Sequence, residues 1–473
     1  MLMDKLIVAK FGGSAIGVDG YSIPTIIKRI DKLKENAKVI AVFSAPLTML
    51  NDKKTSITDV ILGLGKKFAA GQDAELGKIQ DCYSKILELV SSEHKDESKK
   101  NIESMLSKMK EALDDAKSNH EFVDENRAKS LAYGGEILMG NIMSIILKSH
   151  KIKSESIGLE NWPIVTDNNI ESTNFLFSES NEKLAYLENL VNQNDVITIG
   201  GFIGKTSDGR VTTFERGGSD RTAADLGILF NEKFDTTIDL EKDNSVVSAD
   251  PKIVNEGLED VQQLSYNEAR LAGMFGMKIL DPIAIKEILE NGVDISISIT
   301  DMYHPEKVTK IQRKTDETNG HPLKIVTGKN NCAIIRMENS MAQNLLRSLE
   351  TDKRYSEFII LSPFTKDGTE FSRILFLDGD YVKRNEKYLL SFDSLATITY
   401  NRGVITLIGD EMWRVQQIAS KASSKIGEAG LNILNMDAQE ETSRIIIVVE
   451  DSDDNVAKAI TAIHSERAKI KFV

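Results

Sequence analysis

The sequence predicts an α/β protein with a mostly parallel sheet sandwiched by helices and carrying a helical insertion, followed by two ferredoxin-like βαββαβ modules. Three observations carry this reading. Short continuous apolar runs near the N-terminus alternate with segments of helical period, which is the pattern of βαβ units. A proline-free stretch from about residue 55 to 150 has helical spacing and helix-forming composition. Beyond residue 323 the pattern changes to short strands with two helices per unit, seen twice.

The elements follow in chain order. Residues 6–9 form the first apolar run and lead to Gly12-Gly13, as in a strand buried on both faces that enters a loop. Residues 23–33 read as a helix, and residues 39–43 and 196–199 as further strands. Within the insertion, Ile86, Leu87, Leu89 and Val90, then Met105, Leu106, Met109 and Leu113, recur at helical spacing. The charged run 93–100 reads as a solvated connector. A polar segment at 311–323 reads as a linker. These features divide the chain into a domain at 1–310 and a second region at 324–473. In the latter, residues 332–337, 358–361, 374–377, 395–400, 404–408, 445–449 and 470–473 read as strands. Val415, Ile418, Ala419, Ala422 and Ile426 mark an amphipathic helix with Gly430 at its stop. Val456, Ala459, Ile460 and Ile463 mark another.

Composition excludes several classes. The 473 residues are 41% hydrophobic, enough for ordinary cores, so a disordered chain is excluded. With 59 Lys+Arg against 72 Asp+Glu the net charge is −13, which argues against nucleic acid as the main partner. Two cysteines, Cys82 and Cys332, and six scattered histidines argue against a disulfide scaffold or a metal centre, so no metal ligands are assigned. No run approaches 18 apolar residues, and the N-terminal run is too short for a signal peptide, so no membrane partner is expected and the location is cytoplasmic.

Two segments carry chemistry. Lys10-Phe11-Gly12-Gly13-Ser14 lies at the carboxyl end of the first strand, where open α/β sheets bind ligands. Glycines there let backbone N–H groups approach phosphate, and lysine adds charge; a plain strand-to-helix turn has the same look. The second segment runs from Gly200-Gly201-Phe202 through Thr212 to Arg216-Gly217-Gly218-Ser219-Asp220 and then a helix. A helix start of this kind accepts anions, and an arginine can clamp a carboxylate. Asp220 can equally be a helix N-cap. Gly200, Gly204, Lys205 and Thr206 fall short of a P-loop, because Ile199 stands where a glycine is required.

Together with Ser44, Tyr133-Gly134-Gly135-Glu136, Ala249-Asp250-Pro251-Lys252 and Phe275-Gly276-Met277-Lys278, these segments resemble the aspartate kinases of the amino acid kinase family. Ala429-Gly430-Leu431-Asn432-Ile433 is similar to the ACT modules that follow that kinase domain. The resemblance covers nearly the whole chain. It implies the amino acid kinase fold and phosphorylation of the L-aspartate side chain by ATP with Mg2+. By the same resemblance Lys10, Asp220 and Lys278 are catalytic, and Ser44, Glu136, Phe202, Arg216 and Ser219 bind the substrate. Lys10, Gly12, Gly13, Ser14, Gly217, Gly218, Lys252 and Lys278 contact ATP and its phosphates. It further implies a homodimer or higher homo-oligomer, with ACT modules that either bind an amino-acid effector, lysine or threonine, or serve dimerisation alone. Another acyl-phosphate kinase of this fold, or an amino-acid sensor, are the alternative readings. The chain departs from the family pattern at Ser14-Ala15, at Glu215, at Glu241-Lys242 and Val247 in the nucleotide segment, and at Ser340-Met341-Ala342-Gln343 in the first ACT module. The departures at Glu241 and Lys242 imply altered adenine or ribose contacts.

Overall fold

The computed structural model describes residues 3–215, 217–315, 321–352, 357–439 and 442–470. The chain forms two compact units, Met1–Ser245 with Ile283–Arg313, and Val246–Pro282 with Lys314–Val473.

The first unit is built on strands β1 (Lys5–Phe11), β2 (Lys38–Phe43), β3 (Ser154–Ser156), β4 (Val196–Gly200), β5 (Asp235–Lys242), β6 (Ile297–Asp301) and β7 (Val308–Gln312). They lie side by side in the order β7-β6-β5-β1-β2-β4-β3. All neighbours are parallel except β6 and β7. Residues 311 and 312 therefore belong to a strand rather than to the expected linker. Leu6, Val8, Ala9 and Phe11 are fully buried, as a central parallel strand demands. Phe11 stacks on Phe43 of the next strand at 5.3 Å between ring centroids.

Helix α1 (Ile23–Leu33) keeps the boundaries its spacing predicts and buries Ile23, Ile26, Ile27 and Ile30. The insertion comprises α2 (Ile57–Ala69), α3 (Gly77–Ile86), α4 (Lys95–Asn119), α5 (Asp124–Leu131) and α6 (Ile137–Ser149). The run 93–100 is not a connector: α4 already starts at Lys95, with Asp96 and Glu97 in its first turn, where acidic groups oppose the helix dipole. Between α5 and α6 the chain passes through a π-turn, Ala132–Glu136. By length and composition alone, Asp124–Ser149 could cross a membrane, but 94% of its apolar window is buried within the protein. It is a core helix.

The second unit carries an antiparallel sheet of β8 (Ile325–Glu338), β9 (Phe358–Lys366), β10 (Thr369–Phe376), β11 (Thr397–Ile408), β12 (Asn435–Ala438) and β13 (Arg444–Glu450). Their order is β9-β10-β8-β11-β13-β12. The runs at 395–400 and 404–408 are one strand, not two, and β12 falls where no strand was expected. Ile470 follows a short 3-10 turn, Arg467–Lys469, instead of opening a strand; residues 471–473 lie outside the described part.

The two ACT-like modules share one sheet. Val326 of β8 and Ile405 and Leu407 of β11 enter one core. Ala333, Ile335 and Met337 of β8 enter the other, with Ile398 of β11 packed against it. A shift of register between Lys329 and Cys332 separates the two halves of β8. The segment 246–282 joins this unit: Ala249 and Val254 sit in the first of these cores. Its helix α8 (Tyr266–Met274) starts with a Ser265–Glu268 capping box. Farther along are α9 (Asn339–Asp352), α10 (Ile418–Glu428) and α11 (Asn455–His464). Val415 precedes α10 rather than belonging to it, and Gly430 (φ 74°) ends the helix as expected.

Candidate active site

The carboxyl ends of β1, β2 and β4 gather most of the predicted residues of the first unit. Lys10 is the penultimate residue of β1, and its Nζ lies 2.7 Å from Asp220 Oδ1. Asp220 stands in the first turn of helix α7 (Gly218–Phe230), whose N-cap is Gly217. Asp220 is therefore not the N-cap; its carboxylate is spent on Lys10. The loop after β1 needs its glycines. A Cβ on Gly12 would sit 3.1 Å from Lys10 Nζ, and one on Gly13 would lie 2.8 Å from the Ala45 carbonyl. Ser14 is exposed in the short helix that follows.

Ser44, just past β2, donates from Oγ to Ser219 Oγ at 2.9 Å, linking that strand end to α7. Phe202 adopts a left-handed backbone (φ 68°), unusual for an aromatic residue. Its N–H donates to Thr222 Oγ1 at 2.9 Å, which holds the strained turn in place. A Cβ on Gly201 would fall 2.6 Å from Ser219 Oγ, and one on Gly218 would press on Phe214 and Phe202. The glycines here permit close approach of the turn and the helix start.

Glu136 ends the π-turn and is 4% exposed. Burial pushes its carboxyl up to about 8, opposed by the Ala45 backbone and the charge of Lys10. Its Oε1 receives a long hydrogen bond from Thr58 (3.5 Å), and its Oε2 has no hydrogen-bond partner among the described residues. The Tyr83 hydroxyl bridges the Gly134 and Gly135 carbonyls at 3.2 and 3.1 Å, fixing the turn that delivers Glu136. Thr58, Tyr83 and Thr222 carry no motif of their own. Only Thr222 had a signal, standing four residues after Gly218 in a helix start.

Arg216 lies outside the described residues. Glu215 is exposed and accepts from Ser172 Oγ at 2.7 Å. Glu241, at the end of β5, is buried and takes three hydrogen bonds from Arg29 of α1, the shortest 2.7 Å. Its neighbour Asp239, raised to about 7 by burial and by Glu241, accepts from Thr300 at 2.7 Å. Lys252 and Lys278 belong to the second unit. Lys252 is exposed and starts from a turn in which its N–H meets Asp250 Oδ1 at 2.9 Å. Lys278 is exposed on the loop after α8, where Gly276 needs a φ of 99°. Among the described residues, no three His, Cys, Asp or Glu side chains converge on a point that could hold a metal.

The profile of the amino acid kinase family matches residues 5–301. The aspartokinase of Rickettsia felis is 25% identical over 323 residues, 67% of this chain and 78% of its own. Aspartokinase 3 of Bacillus subtilis is 22% identical over 474 residues, 97% and 98% of the two chains. The crystal structure of Escherichia coli aspartokinase III in complex with aspartate and ADP matches with a TM-score of 0.78 at 17% identity, over 97% of this chain and 99% of that one. Its likeness is one of fold. With the family profile spanning more than half of its length, the chain belongs to the amino acid kinase family.

Proposed function

We propose that this protein transfers the γ-phosphoryl group of ATP to the side-chain carboxylate of L-aspartate, giving ADP and 4-phospho-L-aspartate, the first step toward lysine, threonine and methionine. The observation that carries this reading is the placing of a buried carboxyl, Glu136 at the end of the π-turn, within electrostatic reach of Lys10 near the end of β1. One group can read a substrate ammonium while the other meets phosphate. Named aspartokinases among the relatives support the same choice.

The acceptor carboxylate has a pKa near ~4 and is ionised at neutral pH, so no general base is needed. One of its oxygens attacks the γ-phosphorus, the bond to the β-phosphate oxygen breaks, and ADP leaves with that electron pair. Catalysis is then positioning and charge neutralisation. Lys10, oriented by Asp220, faces the equatorial oxygens. The N–H groups of Gly12 and Gly13, with Ser14, and those of Gly217 and Gly218 line the phosphate path. Ser44, Ser219 and Phe202 shape the aspartate pocket, Glu136 takes the ammonium, and Arg216 grips the α-carboxylate. By the resemblance, Lys252 and Lys278 serve the nucleotide. Mg2+ would arrive held by the phosphates of ATP, neutralising their charge. Assembly as a homodimer, an amino-acid effector at the ACT modules and a cytoplasmic location belong to the same reading.

The test is to trap the acyl phosphate with hydroxylamine in Mg-ATP and L-aspartate, with L-glutamate alongside. Hydroxamate from aspartate alone is expected. Hydroxamate from another amino acid would reassign the substrate, and none from any, in folded protein, would favour a sensor.

A further inference from the structure

Arg221, Asp225 and Glu287 are buried in the first unit, and the proposed reaction uses none of them. Arg221 and Asp225 stand one turn apart on α7, and Glu287 comes from the helix Pro282–Glu290. Arg221 donates to Glu287 Oε1 from Nε at 3.1 Å and from Nη2 at 2.6 Å. No described residue donates to Glu287 Oε2 or to either oxygen of Asp225. What Asp225 faces is Glu287 itself, within hydrogen-bonding reach. A hydrogen bond between two carboxyl groups needs a proton on one of them. Burial and the charge of Glu287 raise Asp225 well above the usual carboxylate range. Burial raises Glu287 too, opposed by Arg221, with Glu290 and Lys286 of its own helix as the other nearby charges. The cluster then holds one guanidinium, one carboxylate and one neutral acid.

The remaining contacts of Arg221 reach the turn that opens α7. Its Nη2 also donates to the Thr173 carbonyl at 3.2 Å, and its guanidinium carbon lies 4.3 Å from the centre of the Phe214 ring. Phe214 enters the turn, with its N–H on the Phe202 carbonyl at 3.0 Å. Ser172, beside Thr173, holds Glu215 at 2.7 Å, and the Gly218 N–H meets the Glu215 carbonyl at 3.0 Å. In sequence, Arg216 and Gly217 fall between these fixed points. Ser219, Asp220 and Thr222, next along, meet Ser44, Lys10 and the Phe202 N–H. A buried ion pair adds little net stability over an apolar filling of the same volume. A guanidinium supplies what an apolar side chain cannot: directed contacts to a carboxylate, a carbonyl and a ring face at once.

We propose that Arg221 is a positioning residue for the turn 214–218, and that Asp225 and Glu287 hold it in place with one proton shared between them. Through that turn Arg221 sets the binding of aspartate. This last step rests on the reading of the protein as an aspartate kinase; the positioning and the shared proton do not.

The test reads the full chain in three ways. The infrared difference between the parent and Asp225→Asn at neutral pH should contain one C=O band of a protonated carboxyl; its absence would overturn the shared proton. Hydrogen exchange, followed by mass spectrometry on peptides that cover Phe214 and Gly218, reports the turn. Arg221→Leu should exchange there about tenfold faster, the worth of one charge-assisted contact. Glu287→Gln, which keeps the shape and removes the charge, should also exchange faster, and it carries the test if Arg221→Leu does not fold. Asp225→Asn should exchange at the parental rate, because its amide donates to Glu287 as the neutral acid does. Parental exchange in both Arg221→Leu and Glu287→Gln, or in Glu287→Gln where it alone folds, would overturn the positioning. In the hydroxylamine assay, Arg221→Lys should raise the aspartate KM about tenfold with a smaller change in kcat, and Asp225→Asn should keep both parental. Faster exchange with an unchanged KM would overturn the link to aspartate. No hydroxamate from the parent would overturn the aspartate reading itself, while exchange and infrared still decide the positioning and the proton.

Discussion

Lys10 and Glu136 are the residues on which the chemistry turns, and each makes a separate prediction. Lys10→Ala removes the cation nearest the transferring phosphoryl group and leaves Asp220 without its 2.7 Å partner. Its kcat in the hydroxamate assay should drop by about 100-fold or more, the cost of losing one electrostatic contact made in the transition state. A near-parental kcat would remove Lys10 from the mechanism. Glu136 couples function to stability. Its carboxyl, ordinarily near 4.5, is raised to about 8 by burial. A raised carboxyl pKa means the folded state binds more protons than the unfolded one, so stability declines as pH climbs from 4.5 toward 8. A substrate ammonium needs the ionised form, so the aspartate KM should fall as pH rises through that range. Glu136→Gln should lose this pH dependence and raise KM. In the absence of ligand at pH ~8.5 it should melt higher by roughly 2–4 °C, because the cost of the buried charge is gone. A variant that melts lower while keeping a parental KM would refute both assignments. The motif strings announced Lys10, Asp220 and Glu136 because each stands within two residues of a glycine pair. Thr58 and Tyr83 were silent, since their contribution depends on packing between distant segments.

Elements place these residues, and two can be challenged. The π-turn Ala132–Glu136 delivers Glu136, and the Tyr83 hydroxyl satisfies two of its carbonyls. Tyr83→Phe keeps the ring but orphans that bridge, so it should cost about 1–3 kcal/mol in denaturant unfolding and raise the aspartate KM. An unchanged KM would show that the turn holds itself. The second element is the brace from α1 to β5. Arg29→Met would leave Glu241 and Asp239 buried with one cation fewer, at about 3–5 kcal/mol. Adding Glu241→Leu should restore much of the loss, and failure of that rescue would mean Arg29 matters for something other than Glu241. This brace explains why the departure at Glu241 was read as altered nucleotide contacts: the sequence shows a carboxylate in a nucleotide segment but not the arginine, 212 positions away, that turns it inward. The buried strands and α1 were legible because continuous apolar runs and a 3.6-residue period survive in one dimension. The start of α4 was misread, because a charged run looks the same in a solvated helix and in a connector. The shared strands β8 and β11 were cut in two because polar residues such as Asn330, Asn331, Asn401 and Arg402 interrupt their apolar runs where they pass from one core to the next.

At the scale of the molecule, the two units hold titratable groups of opposite tendency. In the first, burial raises Glu136, Asp225, Asp239, Glu241 and Glu287, so that unit gives up stability as pH rises through the carboxylate range toward 8. In the second, burial and the charge of Arg467 push His321 and His464 below their ordinary 6.5. A depressed histidine means the unfolded state takes up the proton first, so stability is full above 6.5 and is lost as pH falls below it. The geometry gives this loss a location. His464 Nε2 sits 2.8 Å from Ser248 Oγ, and Arg467 pairs with Glu259, both groups lying in the segment that carries Asp250 and Lys252. Charging both histidines would put three cations around the one carboxylate of Glu259. Glu268 leans the other way, since burial raises it, but it is held by Lys324 at 2.7 Å. Scanning calorimetry from pH ~5 to ~8.5 should therefore show a stability maximum with two independent limbs. Glu136→Gln should make the alkaline limb shallower and leave the acid limb unchanged, since Asp225, Asp239, Glu241 and Glu287 remain raised. The double variant His321→Asn, His464→Asn should flatten the acid limb alone, because an asparagine can still meet Ser248 without titrating. Loss of both limbs in either variant would mean that the ionisations are coupled across the molecule, and an acid limb that survives the double variant would place the proton uptake elsewhere.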